Sequence, residues 1–379
     1  MMTVAYETGR RTETPFRFDN VGSFLRPDTL KDARKSFAAG TISRENLQSV
    51  EDEAIKDLIS KQKEVGLKAI TDGEFRRSWW HLDFMWGLQG VEKEDVDKGY
   101  QFKDEETRAE TARLSGRISG ENHPFIEHFK FVKQFEEEGV VARQTIPAPA
   151  QFLTELERPE NKAATEAIYP DRNELLEDIA AAYQTFIREL YEAGCRNLQI
   201  DDCTWGLLVD ENFWKSLSDN VSVEDLSRKH VTLNNKAIEN HPADLTITTH
   251  VCRGNYHSTW ASSGAYDKVA EVLFGEENVK AYYLEFDTER AGGFESLAKV
   301  SDDKLVVLGL FSSKFPELED KEEIRTRIEE ASKYVPLERL CVSPQCGFAS
   351  TEEGNILTEE QQWDKLRLVR EVAEEVWGK

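Results

Sequence analysis

Along the chain, short runs of consecutive apolar residues alternate with longer stretches in which apolar positions recur every three or four residues. The first pattern belongs to strands buried on both faces, the second to helices with one face on a core. Strand-like runs fall at 18–24, 68–71, 140–146, 197–200, 245–249, 281–284, 304–308 and 340–342. Helical patterns occupy 44–65, 172–193, 223–240, 266–274, 321–334 and 358–377. Eight strands in this alternation predict a parallel sheet covered by helices, and eight is the number that closes a (β/α)8 TIM barrel. An open doubly wound sheet shares the alternation, but no GxGxxG turn follows any strand, which argues against its dinucleotide-binding form.

Residues 91–123 break the rhythm. They are charged, carry Gly99, Gly116 and Gly120, and follow the second strand. They read as a loop insertion over one mouth of the barrel, with a hairpin as its regular form; a polar excursion without a role fits the pattern equally well. Residues 157–170 read as a second loop, after the third strand. No repeat, low-complexity tract or linker divides the chain. Residues 1–379 are therefore expected to form a single TIM-barrel domain with one insertion, a length that such barrels reach.

Charge changes the picture by exclusion. With 72 acidic and 48 basic residues the formal net charge is −24, which disfavours nucleic acids and anionic membranes as partners. Acidic runs such as Glu136-Glu137-Glu138, Glu322-Glu323 and Glu329-Glu330 fall in helical patterns and read as solvated faces. No stretch approaches the roughly 18 apolar residues of a membrane helix. No apolar segment follows a basic start as in a secretory signal. Five widely spaced cysteines then read as reduced thiols of a cytoplasmic protein.

Chemically capable residues cluster just after the strands: Ser23, Asp72 and Glu74, Asp201 and Asp202, His250 and Cys252, Glu285, Ser312 to Lys314, and Cys346. In a barrel those positions converge on one face. His250, Cys252, Glu285 and Cys346 have the ligand types of a zinc site, and His250 and Cys252, two apart, project to one side of an extended chain. One nitrogen, two sulfurs and an oxygen suit Zn2+ better than Mg2+ or Ca2+. An HxC pattern alone is weak, since buried cysteine is often packing. Cys195, Cys203 and Cys341 read in that plainer way. Two thiolates and a carboxylate leave such a centre with a formal charge of about −1. It would suit holding a substrate thiol as thiolate better than making hydroxide, so S-alkylation is implied. Glu285, the weakest ligand for a soft metal, is the one expected to yield to the thiol.

At these positions the sequence resembles the catalytic barrel of cobalamin-independent methionine synthase, over roughly residues 18–377. TTHVC at 248–252 is similar to that family's HxC zinc strand, YLEFD at 283–287 to the strand carrying the glutamate ligand, and SPQCGFAS at 343–350 to the segment carrying the last cysteine. The resemblance implies a zinc held by His250, Cys252, Glu285 and Cys346. VGSF at 21–24 resembles the segment holding the homocysteine carboxylate, which assigns Val21, Gly22 and Ser23 to substrate. DGEFRR at 72–77 and LQIDD at 198–202 resemble the segments that place acids at the ammonium, here Glu74 and Asp201, though both are also plausible loop-capping acids. A zwitterionic amino-acid thiol needs such acceptors and donors. The implied reaction is methyl transfer to homocysteine, giving methionine, from 5-methyltetrahydrofolate, its polyglutamate or another small methyl carrier.

Departures from the family pattern put parts of this in question. The family has two barrels and this chain has the counterpart of the catalytic one, which bears on any folate tail. PAPAQFLTEL at 147–156 lacks the folate-stacking tryptophan, and FSSKFPELE at 311–319 has Ser313 or Lys314 where the proton-donating histidine falls. A lysine donates a proton only if its pKa is depressed. RRSWWHLDFMWG at 76–87 sets Trp79, Trp80, His81, Asp83 and Trp86 beside Glu74. They read either as an aromatic wall for a donor, with His81 as acid or base, or as a cover for the mouth. His257 and Trp260 are candidates to support the zinc strand. Competing functions are zinc-dependent alkylation of another thiol such as coenzyme M by an epoxide or other alkyl donor, a metal-free decarboxylase, and a non-catalytic homocysteine or zinc binder.

Overall fold

A computed structural model describes residues 11–216 and 221–378. The apolar runs form strands β1 (Ala69–Ile70), β4 (Val141–Ala142), β5 (Gln144–Pro147), β6 (Asn197–Asp202), β7 (Thr246–Val251), β8 (Ala281–Glu285), β9 (Leu305–Phe311) and β10 (Leu340–Pro344). Two further strands, β2 (Gln89–Asp95) and β3 (Glu110–Ser119), belong to the insertion. Strands β5 to β10 make one parallel sheet in sequence order. Every residue of β6, β8, β9 and β10 is buried, which is why β8, β9 and β10 read as largely apolar runs, while the buried polar positions of β6 fall among Leu198 and Ile200.

Beyond the sheet's two ends the same order continues. β4, just ahead of β5, pairs in parallel with β1. Phe18 bridges Val342 of β10 in parallel, with the Asp19 N–H donating to the Val342 carbonyl at 3.0 Å. The result is a TIM-barrel-like α/β fold. Of the strand expected over 18–24, the structure keeps only this bridge. The chain then turns toward the mouth through Gly22, at φ +150°, where a Cβ would meet Thr145 at 3.0 Å.

Helix boundaries follow local chemistry. Arg44–Val65 starts at Ser43, whose hydroxyl accepts from the Asn46 N–H, and stops at left-handed Gly66. Glu359–Trp377 starts with a capping box between Thr358 and Gln361. The helix expected over 266–274 is split into a 3-10 turn, Tyr266–Lys268, and a helix, Ala270–Glu276. The loop expected over 157–170 is instead mostly the helix Pro159–Ile168. Pro159 occupies its first turn, where a missing N–H does no harm.

The insertion is a hairpin: β2 and β3 pair antiparallel, starting two residues before the expected boundary at 91. Its base is fastened to the body by the Ile118 N–H donating to Tyr169 Oη at 2.7 Å and by Arg117 pairing with Glu174 and Asp178. Among the described residues no helix is long and apolar enough to cross a membrane.

Candidate active site

His250 lies near the end of β7, and Cys252 follows that strand directly. The His250 Nδ1 lies 3.1 Å from the Tyr283 carbonyl on β8, so Nδ1 carries the proton and Nε2 keeps its lone pair. That Nε2 is buried and without a partner. Cys346 arrives from the segment after β10. This approach needs Gly309, since a Cβ there would sit 2.7 Å from Gln345 Cα. The Cys252 and Cys346 sulfurs are 3.7 Å apart, and all five cysteines are free thiols. The donor atoms of His250, Cys252 and Cys346 lie within 4.8 Å of one another, all buried.

Hydrogen bonding with Cys203, and then burial, hold the Cys252 thiol well above its ordinary range; contact with Cys252 and then burial do the same for Cys346. Two adjacent buried thiols lose their protons readily only where a cation takes the place of those protons at sulfur. One bare imidazole nitrogen and two converging sulfurs are the donor types that zinc takes, so these residues fit that ion. Cys203, expected as plain packing, is only half-buried and lines the cavity beside Cys252.

Glu285 stands outside that cluster. It is fully buried, neither carboxylate oxygen accepts a hydrogen bond, and Arg290 and Arg253 lie 3.5 and 3.8 Å away. Burial pushes its carboxyl up, but Lys314, Arg290 and Arg253 together outweigh that and hold it below the usual range. Lys314, expected at the family's proton-donor position, is 1% exposed with an unpartnered Nζ, and it is absent from the cavity wall. Its charge acts on Glu285 and Asp287 instead.

The cavity has a volume of about 310 Å³. His250, Cys252 and Cys346 form part of its wall, and Glu74, Asp201, Ser23 and Val21 another part. Glu74 adopts a left-handed φ of +62°; its Oε1 accepts from Thr145 Oγ1 at 3.1 Å and faces Arg77 at 3.4 Å, while Oε2 has no partner. Burial, opposed by Arg77 and reinforced by Asp201, lifts its carboxyl to about 7. Asp201 accepts from Gln199 at 2.8 Å and is likewise lifted to about 7, by burial against the pull of Gln199. Two such carboxyls facing one space repel each other when both ionise, and a cation between them would relieve that. Ser23 Oγ accepts from the Ala349 N–H at 3.2 Å. A Cβ on Gly347 would come within 1.9 Å of that oxygen, so this seat depends on a bare backbone at 347. Gly22 does not reach the cavity; its carbonyl accepts from Thr71 Oγ1 at 2.9 Å.

Part of the wall is aromatic. Trp79, Trp80 and His81 line it, with His81 stacked on Trp80 at 4.7 Å. Tyr100 donates its hydroxyl to Glu155 at 2.8 Å, so the His81 Nε2, 3.1 Å from Tyr100 Oη, is the donor there and Nδ1 is left bare. Burial, with Arg158 nearby, pulls His81 down to about 3, so it is a neutral acceptor and not an acid at neutral pH. Asp83 and Trp86 do not line the cavity: Asp83 accepts from the Ser78 and Trp79 N–H groups, and the Trp86 indole donates to the Thr111 carbonyl.

Sequence reasoning missed Tyr100, Gln101, Phe102 and Thr107, which the hairpin carries into the cavity wall. The signal was two aromatics in an otherwise charged insertion. The hairpin end is fastened across the mouth: the Lys103 N–H donates to the Trp260 carbonyl at 2.8 Å, and His257 pairs with Glu105 at 2.9 Å. His257 and Trp260 therefore hold the hairpin rather than the sulfur cluster.

Fold and site together define a class: a TIM-barrel-like protein with a histidine-and-cysteine metal-type cluster opening on a cavity that also holds paired carboxylates. Residues 163–375 match the family described as cobalamin-independent synthase, catalytic domain. The chain belongs to that family, one of methionine-synthase-type methyltransferases, as its motifs imply. It is 42% identical over 376 residues to the uncharacterised protein YxjH of Bacillus subtilis, covering 98% of this chain and 97% of that one. To the methionine synthase of Saccharolobus solfataricus it is 24% identical over 333 residues, 86% of each chain. A Listeria monocytogenes structure, provisionally named a vitamin-B12 independent methionine synthase, superimposes with a TM-score of 0.76 at 41% identity, over 96% of this chain and 99% of that one. The B12-independent methionine synthase of a Shewanella species, solved with selenomethionine, gives 0.71 at 19% identity over 95% and 97%, a likeness of fold.

Proposed function

We propose that the protein methylates the thiol of homocysteine, giving methionine, with zinc held by His250, Cys252 and Cys346 and, when no thiol occupies it, by Glu285. The observation that carries this reading is that the His250, Cys252 and Cys346 donors open on the same cavity as Glu74 and Asp201. A metal next to two acids with ordinary partners would suggest hydrolysis; a metal next to two acids short of a cation suggests an amino-acid thiol.

Zinc bound there supplies a centre on which a sulfur stays ionised at neutral pH. His250 is oriented by the Tyr283 carbonyl so that Nε2 faces the cluster. Glu74 and Asp201 clasp the substrate ammonium, and Ser23, with Val21 beside it, receives its carboxylate. Glu285 would join His250, Cys252 and Cys346 only by leaving Arg253 and Arg290, which would make it the weakest-held of the four. In this reading the fold is one closed (β/α)8 domain and the free thiols belong to the reducing cytoplasm. A sulfonate thiol such as coenzyme M would meet the two carboxylates head-on, which favours homocysteine.

The test is homocysteine binding to zinc-loaded protein, followed by zinc X-ray absorption. One added sulfur neighbour on binding, lost with the amine-free analogue 4-mercaptobutanoate, supports the reading. Failure to take up zinc, or homocysteine binding unchanged after chelation, overturns it.

A further inference from the structure

Resting on that reading of the thiol, we propose that the methyl donor is a small sulfonium cation rather than a polyanionic carrier such as a polyglutamylated folate. Four features of the cavity converge on this.

The first is charge. Among the described residues lining the cavity the acids are Glu74 and Asp201, and the one basic side chain other than histidine is Arg253. Its guanidinium is fully committed: it donates to the Gly264 carbonyl at 2.7 and 3.1 Å and to Tyr266 Oη at 2.9 Å, and it faces Glu285. Nothing there receives a string of carboxylates, and the whole chain at −24 repels one.

The second is surface chemistry. Trp79, Trp80, Tyr100, Phe102 and Tyr256 all line the cavity. Aromatic faces around a space attract an alkylated cation through their quadrupoles, as in cages for quaternary ammonium groups.

The third is size. About 310 Å³ is near the bottom of the range for small-molecule pockets, and it has to admit both the thiol and the donor.

The fourth is the leaving group. An amine-type carrier departs as an anion unless an acid protonates it. Lys314 is not in the cavity wall, and His81 presents a bare acceptor nitrogen. Glu74 and Asp201 are kept ionised once an ammonium lies between them. A sulfonium needs no acid. The homocysteine thiolate attacks a methyl carbon and a new S–CH3 bond forms. The donor's C–S bond breaks, and its electron pair stays on the departing sulfur, which leaves as a neutral thioether. The thiol proton has already gone to solvent on binding, so charge and atoms balance with no further reactant.

The experiment compares zinc-loaded protein plus homocysteine with four donors: trimethylsulfonium, tetramethylammonium, and 5-methyltetrahydrofolate as mono- and triglutamate. Trimethylsulfonium should give methionine and dimethyl sulfide in equal amounts, at least about tenfold faster than either folate. Its binding, followed by tryptophan fluorescence, should weaken about fivefold in Trp80→Leu and in Tyr256→Leu. Both side chains are partly exposed, so these variants should fold. Methionine from the folates alone overturns the donor assignment and leaves thiol methylation standing. Sulfonium affinity unchanged in both variants also overturns it. A protein that takes up no homocysteine overturns both proposals.

Discussion

Replacing Glu74 by glutamine should make the protein more stable at alkaline pH while weakening its hold on an amino-acid thiol. Burial lifts the Glu74 carboxyl from 4.5 to about 7. Between about pH 4.5 and 7 the folded chain therefore keeps a proton that the unfolded chain releases, and stability falls as pH rises through that window, then levels off. At about 1.4 kcal/mol for each tenfold change in proton affinity, the ionised group destabilises the fold by about 3 kcal/mol at pH 8. The amide of Glu74→Gln carries no charge to desolvate and keeps the acceptor for Thr145. It loses the 3.4 Å pairing with Arg77, which retains the Thr145 carbonyl at 2.8 Å and Oγ1 at 3.0 Å. A net gain of about 2 kcal/mol at pH 8 should remain, shrinking to within about 1 kcal/mol at pH 5, where the wild-type carboxyl is already protonated in the fold. Homocysteine affinity should drop by about 10- to 100-fold with one charged acceptor gone. Urea unfolding of both proteins at the two pH values, with thiol titration of each, measures all of this. A variant less stable than wild type at pH 8, or one equally shifted at both pH values, refutes the reasoning.

Cys346→Ser should lower zinc affinity by more than the roughly 10- to 100-fold typical of losing an outer supporting residue, as read by competition with a chelator. Tyr100→Phe removes the hydroxyl between His81 and Glu155, leaves the Glu155 carboxylate short of a donor, and should destabilise the fold by about 1–3 kcal/mol in urea. Gly347→Ala drives a methyl into Ser23, so homocysteine affinity should fall while a crystal structure shows residues 23 and 346–350 displaced. An unchanged affinity would separate Ser23 from the substrate.

Periodicity revealed the strands of the main sheet because nearly every residue in them is buried, whereas the helices bury one face, so burial is written in the apolar pattern. It overread residues 18–24, where an apolar run signals contact with the mouth rather than sheet pairing. It missed the helix Pro159–Ile168, whose apolar face is short: Asn161 and Thr165 are its buried positions, and Asn161 donates to Thr111 of the hairpin. A helix that packs through polar side chains leaves no stripe to read. In the site, His250, Cys252, Cys346, Glu74 and Asp201 were legible because each sits at a strand end. Cys203 has the same placement, directly after β6, but follows two acids with no histidine beside it in sequence. Its partner Cys252 is supplied by the next strand across, a proximity that exists only after the sheet has formed. Lys314 shows the converse limit, since its position in the chain matches a donor and its burial beside Glu285 does not.

The hairpin's unequal fastening sets how the mouth can breathe. Its base bonds to the main body through Ile118 and its sides through Tyr100 to Glu155 and Arg108 to Glu353, whereas the polar ties of its tip are an exposed ion pair, Glu105 with His257, and one backbone contact at Trp260. Exposed pairs of that kind are worth at most about 1 kcal/mol and weaken with salt. Solvent exchange at the buried sulfurs should therefore be gated by the tip lifting from residues 256–260 while the rest of the hairpin stays in place, and be faster in high ionic strength than the stability of the whole molecule would suggest.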